Sequence, residues 1–109
     1  MNICVFCSAN ELPDGYTKPA AELATMIAQA GHTMIWGGSN YGLMKVIADS
    51  AQAAGGKIVG ISLEFFKNYA RPNADEMIIA KTLAERKALF LERSDALVVL
   101  VGGWAHWMS

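Results

Sequence analysis

Five short apolar runs, separated by longer segments with helical patterning, constrain the fold of this chain more than any other feature. The runs are Asn2–Cys7, Thr33–Trp36, Lys57–Ser62, Glu76–Ala80 and Ala96–Val101. The first run shows no alternation of apolar and polar residues, which is typical of a parallel strand covered on both faces. Strands that alternate with helices predict right-handed crossovers and an α/β fold with a doubly wound parallel sheet.

Three helices are predicted between these strands. They run from about Thr17 to Gly31, from about Tyr41 to Ala54, and from Leu83 to about Arg93. Thr82 and Glu85 form a capping box at the start of the third helix. The apolar stripe of that helix, which includes Leu83, Phe90 and Leu91, is predicted to face the sheet. The segment Leu63–Ala74 has neither pattern, so we expect it to be irregular.

Length and charge limit the kind of protein this can be. The chain has 109 residues, so we expect a single domain over residues 1–109. A formal net charge of −1 argues against a broad nucleic-acid or membrane surface, although a phosphate pocket needs only a few basic groups. No apolar run reaches the length of a membrane span, and Ile3–Cys7 is too short for a signal peptide. We therefore expect a cytoplasmic protein without nucleic-acid or membrane partners, and no pattern indicates a metal or a cofactor.

The two cysteines, Cys4 and Cys7, form a C-x-x-C string. A redox pair of this kind lies at a helix N-terminus, where the helix dipole lowers the thiol pKa. Here both residues lie within an apolar strand, and their odd spacing points them to opposite faces of the sheet. Structural buried thiols are therefore favoured over a redox pair, in agreement with a reducing compartment.

The loops that follow the strands are the candidate ligand site. In a sheet of this class, ligands bind at the carboxyl ends of the strands, where the strand order reverses. The polar loop Ser8–Gly15, the pair Gly37-Gly38 and the pair Gly102-Gly103 all follow strands. Glycine lets backbone N–H groups approach a phosphate, and a following helix adds its positive end. For one such pair alone, a tight turn between strand and helix is the favoured explanation, whereas two pairs at one edge strengthen the case for a ligand site.

Arg86 and Lys87 occupy the turn of the third helix where a purely structural stripe would be apolar. One interpretation is snorkelling, in which the stems pack and the charged heads reach solvent. The other is a clamp for a phosphate or a carboxylate. The helix pattern leaves both interpretations open.

Three segments, in order, resemble motifs of the lonely guy (LOG) family of nucleoside-monophosphate phosphoribohydrolases. The sequence WGGSNYGLM at Trp36–Met44 resembles the family's YGGGxxGLMG segment, and LAERK at Leu83–Lys87 resembles its MHxRK segment. The sequence VGG at Val101–Gly103 falls where the family's PGGxGTxxE signature begins, and Ile3–Asn10 resembles its first strand and loop. The resemblance covers the chain as far as about Trp104 and implies a Rossmann-like fold.

The resemblance implies hydrolysis of the N-glycosidic bond of adenosine 5′-monophosphate, often with an N6 substituent, to the free base and ribose 5-phosphate. It requires no cofactor. The implied ligand is thus a nucleoside monophosphate or another phosphate-bearing small molecule. The catalytic role of the family's Arg maps to Arg86. The implied substrate-binding residues are Lys87, Gly37, Gly38, Gly102, Gly103 and Ser8.

The departures from the family pattern concentrate in residues 104–109. Ala105, His106 and Ser109 fall where the family has Gly, Thr and its catalytic Glu. Deleting one G from suitable codons for Trp-Gly-Thr-Leu-Asp-Glu-Leu yields Trp-Ala-His-Trp-Met-Ser and a stop, which predicts that 104–109 is a frameshift tail. We then expect the C-terminal strands and helices of the family fold to be missing, and hydrolysis to be weak or absent. A bare apolar surface would favour a homodimer or higher oligomer.

Two other functions remain open at this stage. A non-enzymatic nucleotide-binding module could use the same glycine loops, and a structural or regulatory domain would leave the strand-end crevice empty. A Rossmann dehydrogenase is disfavoured, because Ser8–Gly15 lacks the G-x-G-x-x-G pattern after the first strand.

Overall fold

The computed structural model describes residues 1–7, 14–101 and 104–108. The strands are β1 (Asn2–Phe6), β2 (Thr33–Trp36), β3 (Ile58–Leu63), β4 (Glu76–Ala80), β5 (Ala96–Val101) and β6 (Trp104–Met108). The helices are α1 (Asp14–Gln29), α2 (Gly42–Ala53) and α3 (Leu83–Arg93), and a short 3-10 helix covers Glu64–Tyr69.

The strands form one sheet in the order β4-β3-β2-β1-β5-β6. The five strands β1 to β5 are all parallel, which confirms the predicted α/β class with a parallel sheet. The strands β1 to β4 follow one another towards one edge of the sheet. The chain then returns to the centre and places β5 on the other side of β1. The strand order therefore reverses between β1 and β5, which is where this class of sheet binds ligands.

Strand β6 has no counterpart among the predicted elements. It pairs antiparallel with β5, with Leu97 opposite Met108 and Val101 opposite Trp104. The frameshift origin of residues 104–109 stays a prediction, because a strand of any origin can add to a free sheet edge.

Each face of the sheet carries its own apolar core. On one face, Ile3, Val5 and Trp36 pack against α1 and α2 in the larger cluster. On the other face, Cys4, Ile35 and Ile61 pack with Phe90 of α3. Alternate residues of β1 thus serve opposite cores, as burial on both faces of a parallel sheet requires.

The cysteines follow the same alternation. Cys4 belongs to the cluster beneath α3, whereas Cys7 packs against the cluster beneath α1 and α2. Both thiols are free. The predicted placement on opposite faces is therefore confirmed, with Cys4 buried and Cys7 partly buried.

The predicted apolar stripe of α3 is wrong at both ends. Leu83 and Leu91 are 72% and 68% exposed, whereas Phe90 is only 4% exposed. The helix is rotated so that Leu89 and Phe90 face the sheet and Arg86 lies beside them. The predicted cap is confirmed, because Thr82 Oγ1 accepts a hydrogen bond of 3.1 Å from the N–H of Glu85.

The other helices differ from the predictions mainly at their ends. Helix α1 begins at Asp14 rather than at about Thr17, and the segment predicted to be irregular contains the 3-10 helix Glu64–Tyr69. Over the described ranges, no helix is long and apolar enough to span a membrane.

Both thiols should be poor nucleophiles while the protein is folded. Burial raises the pKa of Cys4 to about 11 and that of Cys7 to about 12, and the thiolate is the reactive form. At about pH 8, a disulfide reagent such as DTNB should label the native protein slowly and label both cysteines rapidly after unfolding in guanidinium. Rapid labelling of the native protein would contradict the burial of these thiols.

The same pKa values predict how the stability of the protein changes at alkaline pH. Unfolding returns each thiol to its ordinary pKa of 9.0, so the unfolded chain loses these protons first. The free energy of unfolding should therefore fall as the pH rises from 9.0 towards about 11.

Candidate functional site

The loop Gly37–Tyr41, which joins β2 to α2, lies at the carboxyl edge of the sheet. Gly38 has φ +84°, a backbone conformation that glycine adopts without steric cost. At Gly37 the restriction is one of space, because an added Cβ would lie 2.7 Å from Nη2 of Arg86 and 2.9 Å from Sδ of Met44. The structure therefore brings Gly37, the first residue of the predicted glycine pair, into direct contact with the predicted arginine.

Arg86 reaches this loop from α3 and bonds to the ends of two strands. Its Nε donates to the carbonyl oxygen of Ile61 in β3 at 2.7 Å, and its Nη2 donates to that of Gly37 at 3.1 Å. The guanidinium carbon lies 5.0 Å from the centre of the Phe90 ring. These contacts place the charged head at the sheet edge, whereas snorkelling would carry it out to solvent.

The charge of Arg86 has no carboxylate partner among the described residues. The three ion pairs of that part of the chain involve Lys45, Arg71 and Arg93 instead. Half-burial of the guanidinium lowers the pKa of Arg86 through desolvation, although the group remains a cation. A partly buried cation that bonds only to carbonyl groups favours the approach of an anion or an electron-rich ring.

A cavity of about 420 Å³ opens beside Arg86. Its lining combines the loop after β2, the end of β3 and the 3-10 helix, and consists of Gly37, Ser39, Tyr41, Met44, Ser62, Leu63, Phe66, Tyr69 and Arg86. Apart from the guanidinium and a few hydroxyl groups, this wall is apolar or aromatic. A flat apolar group with polar substituents fits such a wall better than a bare phosphate does.

Aromatic side chains surround the mouth of the cavity. Tyr41 and Tyr69 meet edge to face with their ring centres 5.5 Å apart, and the rings of Phe66 and Tyr69 lie 6.4 Å apart. Tyr41, Phe66 and Tyr69 are each about half exposed, although exposure of large rings is costly. These rings offer faces and edges on which a planar ligand could stack.

Arg71 anchors the same loop from its far side. It is 8% exposed, and its Nη1 donates to Oδ1 of Asn40 at 3.0 Å. Its Nε and Nη2 donate to Oε1 of Gln52 at 3.2 and 2.7 Å, and Nη2 lies 2.6 Å from Oδ1 of Asp49. Its backbone N–H donates to the carbonyl of Gly38 at 2.8 Å. Arg71 therefore ties the loop to α2 and to the segment before β4.

Asp49, the carboxylic acid that Arg71 contacts, is held in its charged form. Partial burial on its own would raise the pKa of Asp49, but hydrogen bonds from Lys45 and Arg71 outweigh burial and lower it. The Lys45 contact of 2.7 Å is an exposed pair one helical turn away. The Arg71 contact is the one that crosses to another element.

Sequence reasoning missed Arg71. It lies in the segment predicted to be irregular, and nothing in its neighbours indicates a long-range partner. The one available signal was the residue type, since an arginine next to Pro72 can bridge separate backbone segments through its planar fork of donors.

Of the remaining predicted site residues that the structure describes, Lys87 is not brought to the cavity. It is exposed and lines a separate groove with Phe6, Leu91 and Leu97, where Arg86 is also part of the wall. Ser8, Gly102 and Gly103 lie outside the described residues, so their predicted roles stay predictions. Within the described ranges, no cluster of three or more His, Cys, Asp or Glu residues could hold a metal ion.

Comparison with known proteins places these features in a family. A family model described as possible lysine decarboxylase matches residues 44–105. The chain is 37% identical over 103 residues to a cytokinin riboside 5′-monophosphate phosphoribohydrolase of Mycobacterium tuberculosis, covering 93% of this chain and 55% of that protein. A relative of the same name from Mycobacterium marinum is 30% identical, with the same coverage. The chain thus spans about half the length of the curated relatives it matches.

Solved structures with a similar fold have lower identity. A molybdenum cofactor binding protein of Rippkaea orientalis superposes with a TM-score of 0.80 at 24% identity, covering 93% of this chain and 63% of that one. The molybdenum cofactor carrier protein of Chlamydomonas reinhardtii gives 0.75 at 22% identity, covering 91% and 62%. At this identity the likeness establishes the Rossmann-like fold and no more.

Replacing Arg71 should loosen the loop that lines the cavity. We expect Arg71→Met to lower the free energy of unfolding by about 1–3 kcal/mol, since it leaves Gln52 and Asp49 without their shared donor. Urea denaturation would measure the change. Lys45→Met removes the other cation bound to Asp49 and should cost less than about 0.5 kcal/mol, because that pair is exposed. Equal losses in the two variants would contradict the anchoring role of Arg71.

Proposed function

The chain belongs to the family described as possible lysine decarboxylase, and from this premise we propose that it binds a nucleoside 5′-monophosphate. The reaction proposed for the family site is hydrolysis of the N-glycosidic bond of adenosine 5′-monophosphate, with or without an N6 substituent. The products are the free base and ribose 5-phosphate. The observation that carries the proposal is Arg86 at the wall of an apolar, aromatic-lined cavity, with no carboxylate partner for its charge among the described residues.

The shape and chemistry of the cavity support placing the base there. Tyr41, Met44 and Phe66 provide apolar and aromatic surface for a planar heterocycle. Arg86 then lies beside the ribose, and because it is a cation it cannot balance the positive charge that the ribose develops in the transition state. Its direct role is to hold the ribose phosphate end of the ligand by charge.

The phosphate belongs, in this proposal, at the loops that follow β1 and β5. These two strands are neighbours, since Phe6 pairs with Val99. The loops therefore leave the same edge of the sheet at the point where the strand order reverses. Ser8, Gly102 and Gly103 follow these strands and are the proposed phosphate ligands through their backbone N–H groups.

Decarboxylation of lysine fits the cavity poorly. That chemistry uses pyridoxal phosphate held as a Schiff base on a lysine side chain. None of the described residues that line the cavity is a lysine. We therefore derive no step through that cofactor.

Hydrolysis places a further demand on the site. Water adds to C1′ as the bond to the base breaks, and the base takes a proton as it leaves. A carboxylate normally activates this water or stabilises the oxocarbenium-like sugar. No described residue of the cavity wall carries a carboxylate. We accordingly propose that this chain binds the nucleotide and hydrolyses it weakly or not at all.

Nucleotide binding without hydrolysis is the second candidate function, and the same lack of a carboxylate among the described wall residues favours it. Under this alternative the cavity is a recognition site rather than a catalytic one. Both candidates require the same ligand and the same contact with Arg86, so they differ only in turnover.

Self-association and a cytoplasmic location complete the proposal. Leu83 and Leu91 present a stripe of apolar surface on α3 that a second copy of the chain could cover. The balanced net charge of −1 leaves no broad basic surface for nucleic acid.

Arg86 provides the most direct test of ligand binding. We expect Arg86→Met to weaken the binding of adenosine 5′-monophosphate at least about tenfold by calorimetry, with Arg86→Lys intermediate, because a charged hydrogen-bond donor is lost. Arg93→Met is the matched control, since Arg93 lies on the same helix and pairs with Glu76 at 2.7 Å. Lys87→Met tests the second predicted cation separately. Unchanged affinity in Arg86→Met would sink the proposed site.

Turnover distinguishes the two candidate functions. Incubated with adenosine 5′-monophosphate and an N6-substituted analogue, the purified chain should release free base slowly if it is an impaired hydrolase, and at no more than the rate without protein if it only binds the nucleotide, as measured by chromatography. The Mycobacterium tuberculosis relative, which is about twice as long, provides the positive control. Appreciable release of adenine would show that the chain supplies its own catalytic carboxylate and would refute the proposed weak hydrolysis.

A further inference from the structure

Ser62 is the second-last residue of β3. It is buried, and its hydroxyl has no hydrogen bond of normal length among the described residues. It is 4% exposed. Its hydroxyl makes a single contact among the described residues, with the carbonyl of Leu63 at 3.5 Å. That distance lies beyond the usual range for an O–H donor, so the hydroxyl is close to unsatisfied. A buried hydroxyl in this state is costly unless something else bonds to it.

The packing around Ser62 explains a small side chain but not a polar one. Its Cβ lies 3.3 Å from the position that a Cβ on Gly38 would take, so the loop passes close above it. In the sheet it pairs with Ile79, and its chain neighbours Ile61 and Leu63 are apolar. Alanine would fill this space equally well and would bury no hydroxyl.

Ser62 lines the cavity that Arg86 also lines. Arg86 bonds to the carbonyl of Ile61, the residue before Ser62, so both polar groups mark the same end of the cavity wall. The other serine of the wall, Ser39, already uses its Oγ to accept from the N–H of Tyr41 at 3.1 Å. Of the two serines of the wall, Ser62 is thus the one whose hydroxyl makes only a long contact among the described residues, and it is far more buried than the two tyrosines of the wall, which also carry hydroxyl groups.

We propose that Ser62 is a specificity-determining residue whose hydroxyl bonds to a nitrogen atom of the ligand's purine base. A hydroxyl can donate to a ring nitrogen or accept from an exocyclic amino group, so it selects a heterocycle with nitrogen at that position. The inference rests on the proposed function, because it assumes that the base occupies the cavity. It adds the residue that distinguishes one base from another of the same shape.

The test compares base recognition with recognition of the sugar phosphate. Ser62→Ala should weaken the binding of adenosine 5′-monophosphate about three- to tenfold by calorimetry, which is the loss of one hydrogen bond. Binding of ribose 5-phosphate, which has no base, should be unchanged. Ser50→Ala is the matched control, because its hydroxyl donates to Val46 within α2 at 2.8 Å and has no place in the cavity. This control should bind both ligands as the unaltered chain does.

A set of analogues locates the contact. The 1-deaza, 3-deaza and 7-deaza forms of adenosine 5′-monophosphate, and the form without the N6 amino group, each lack one nitrogen. We expect the unaltered chain to bind one of the four about three- to tenfold more weakly than the parent nucleotide, and Ser62→Ala to bind that analogue and the parent equally.

Each outcome decides a different point. If the unaltered chain binds neither the nucleotide nor ribose 5-phosphate, the proposed function fails and this inference falls with it. If the unaltered chain binds both ligands and Ser62→Ala binds the nucleotide with the same affinity, only the role of Ser62 is overturned. An equal loss for the nucleotide and for ribose 5-phosphate would also overturn it, because the hydroxyl would then act by shaping the loop.

Discussion

The hydrogen bonds from Arg86 to the carbonyls of Ile61 and Gly37 are the contacts on which the candidate site depends. They take a charged group from solvent to the ends of two neighbouring strands, where desolvation would be prohibitive without acceptors. The carbonyls and the ring of Phe90 offset that cost only in part, since the pKa of Arg86 is still lowered by burial. The part of the desolvation cost that these contacts do not offset favours the binding of an anionic ligand next to Arg86.

A second arginine completes the arrangement from the opposite side. The carbonyl of Gly37 accepts from Arg86, and the carbonyl of the next residue, Gly38, accepts from the backbone of Arg71. Asn40 is held in turn, because its N–H donates to the carbonyl of Tyr69 at 2.8 Å. The glycine loop is therefore shaped by contacts within the protein, and a ligand does not have to bear the entropic cost of ordering it.

The sequence predicts the elements of this fold well and the side-chain directions less well. Apolar runs located β2, β4 and β5 at the observed residues, although β4, at the edge of the sheet, is only partly buried. The predicted orientation of α3 was wrong. The turn that contains Arg86 faces the sheet through polar contacts, which hydrophobic periodicity does not detect. The rule that parallel strands end at one edge placed Gly37 at the carboxyl edge of the sheet, but the hydrogen bond from Arg86 to its carbonyl was not predicted. The contacts of Arg71 and the hydroxyl of Ser62 depend on how separate segments meet, and no local pattern encodes them.

The position of β1 has a consequence for how the chain reaches this structure. β1 is bonded on one side to β2 and on the other to β5, and the N–H of Asn2 donates to Asp95 across 93 positions of chain. A loop of that length must close before the contact can form and stabilise the structure. The entropic cost of closing the loop slows folding. The half of the sheet from β4 to β1 is built from neighbouring segments and can assemble first. We therefore expect the crevice at the strand reversal, where the phosphate is proposed to bind, to be completed last.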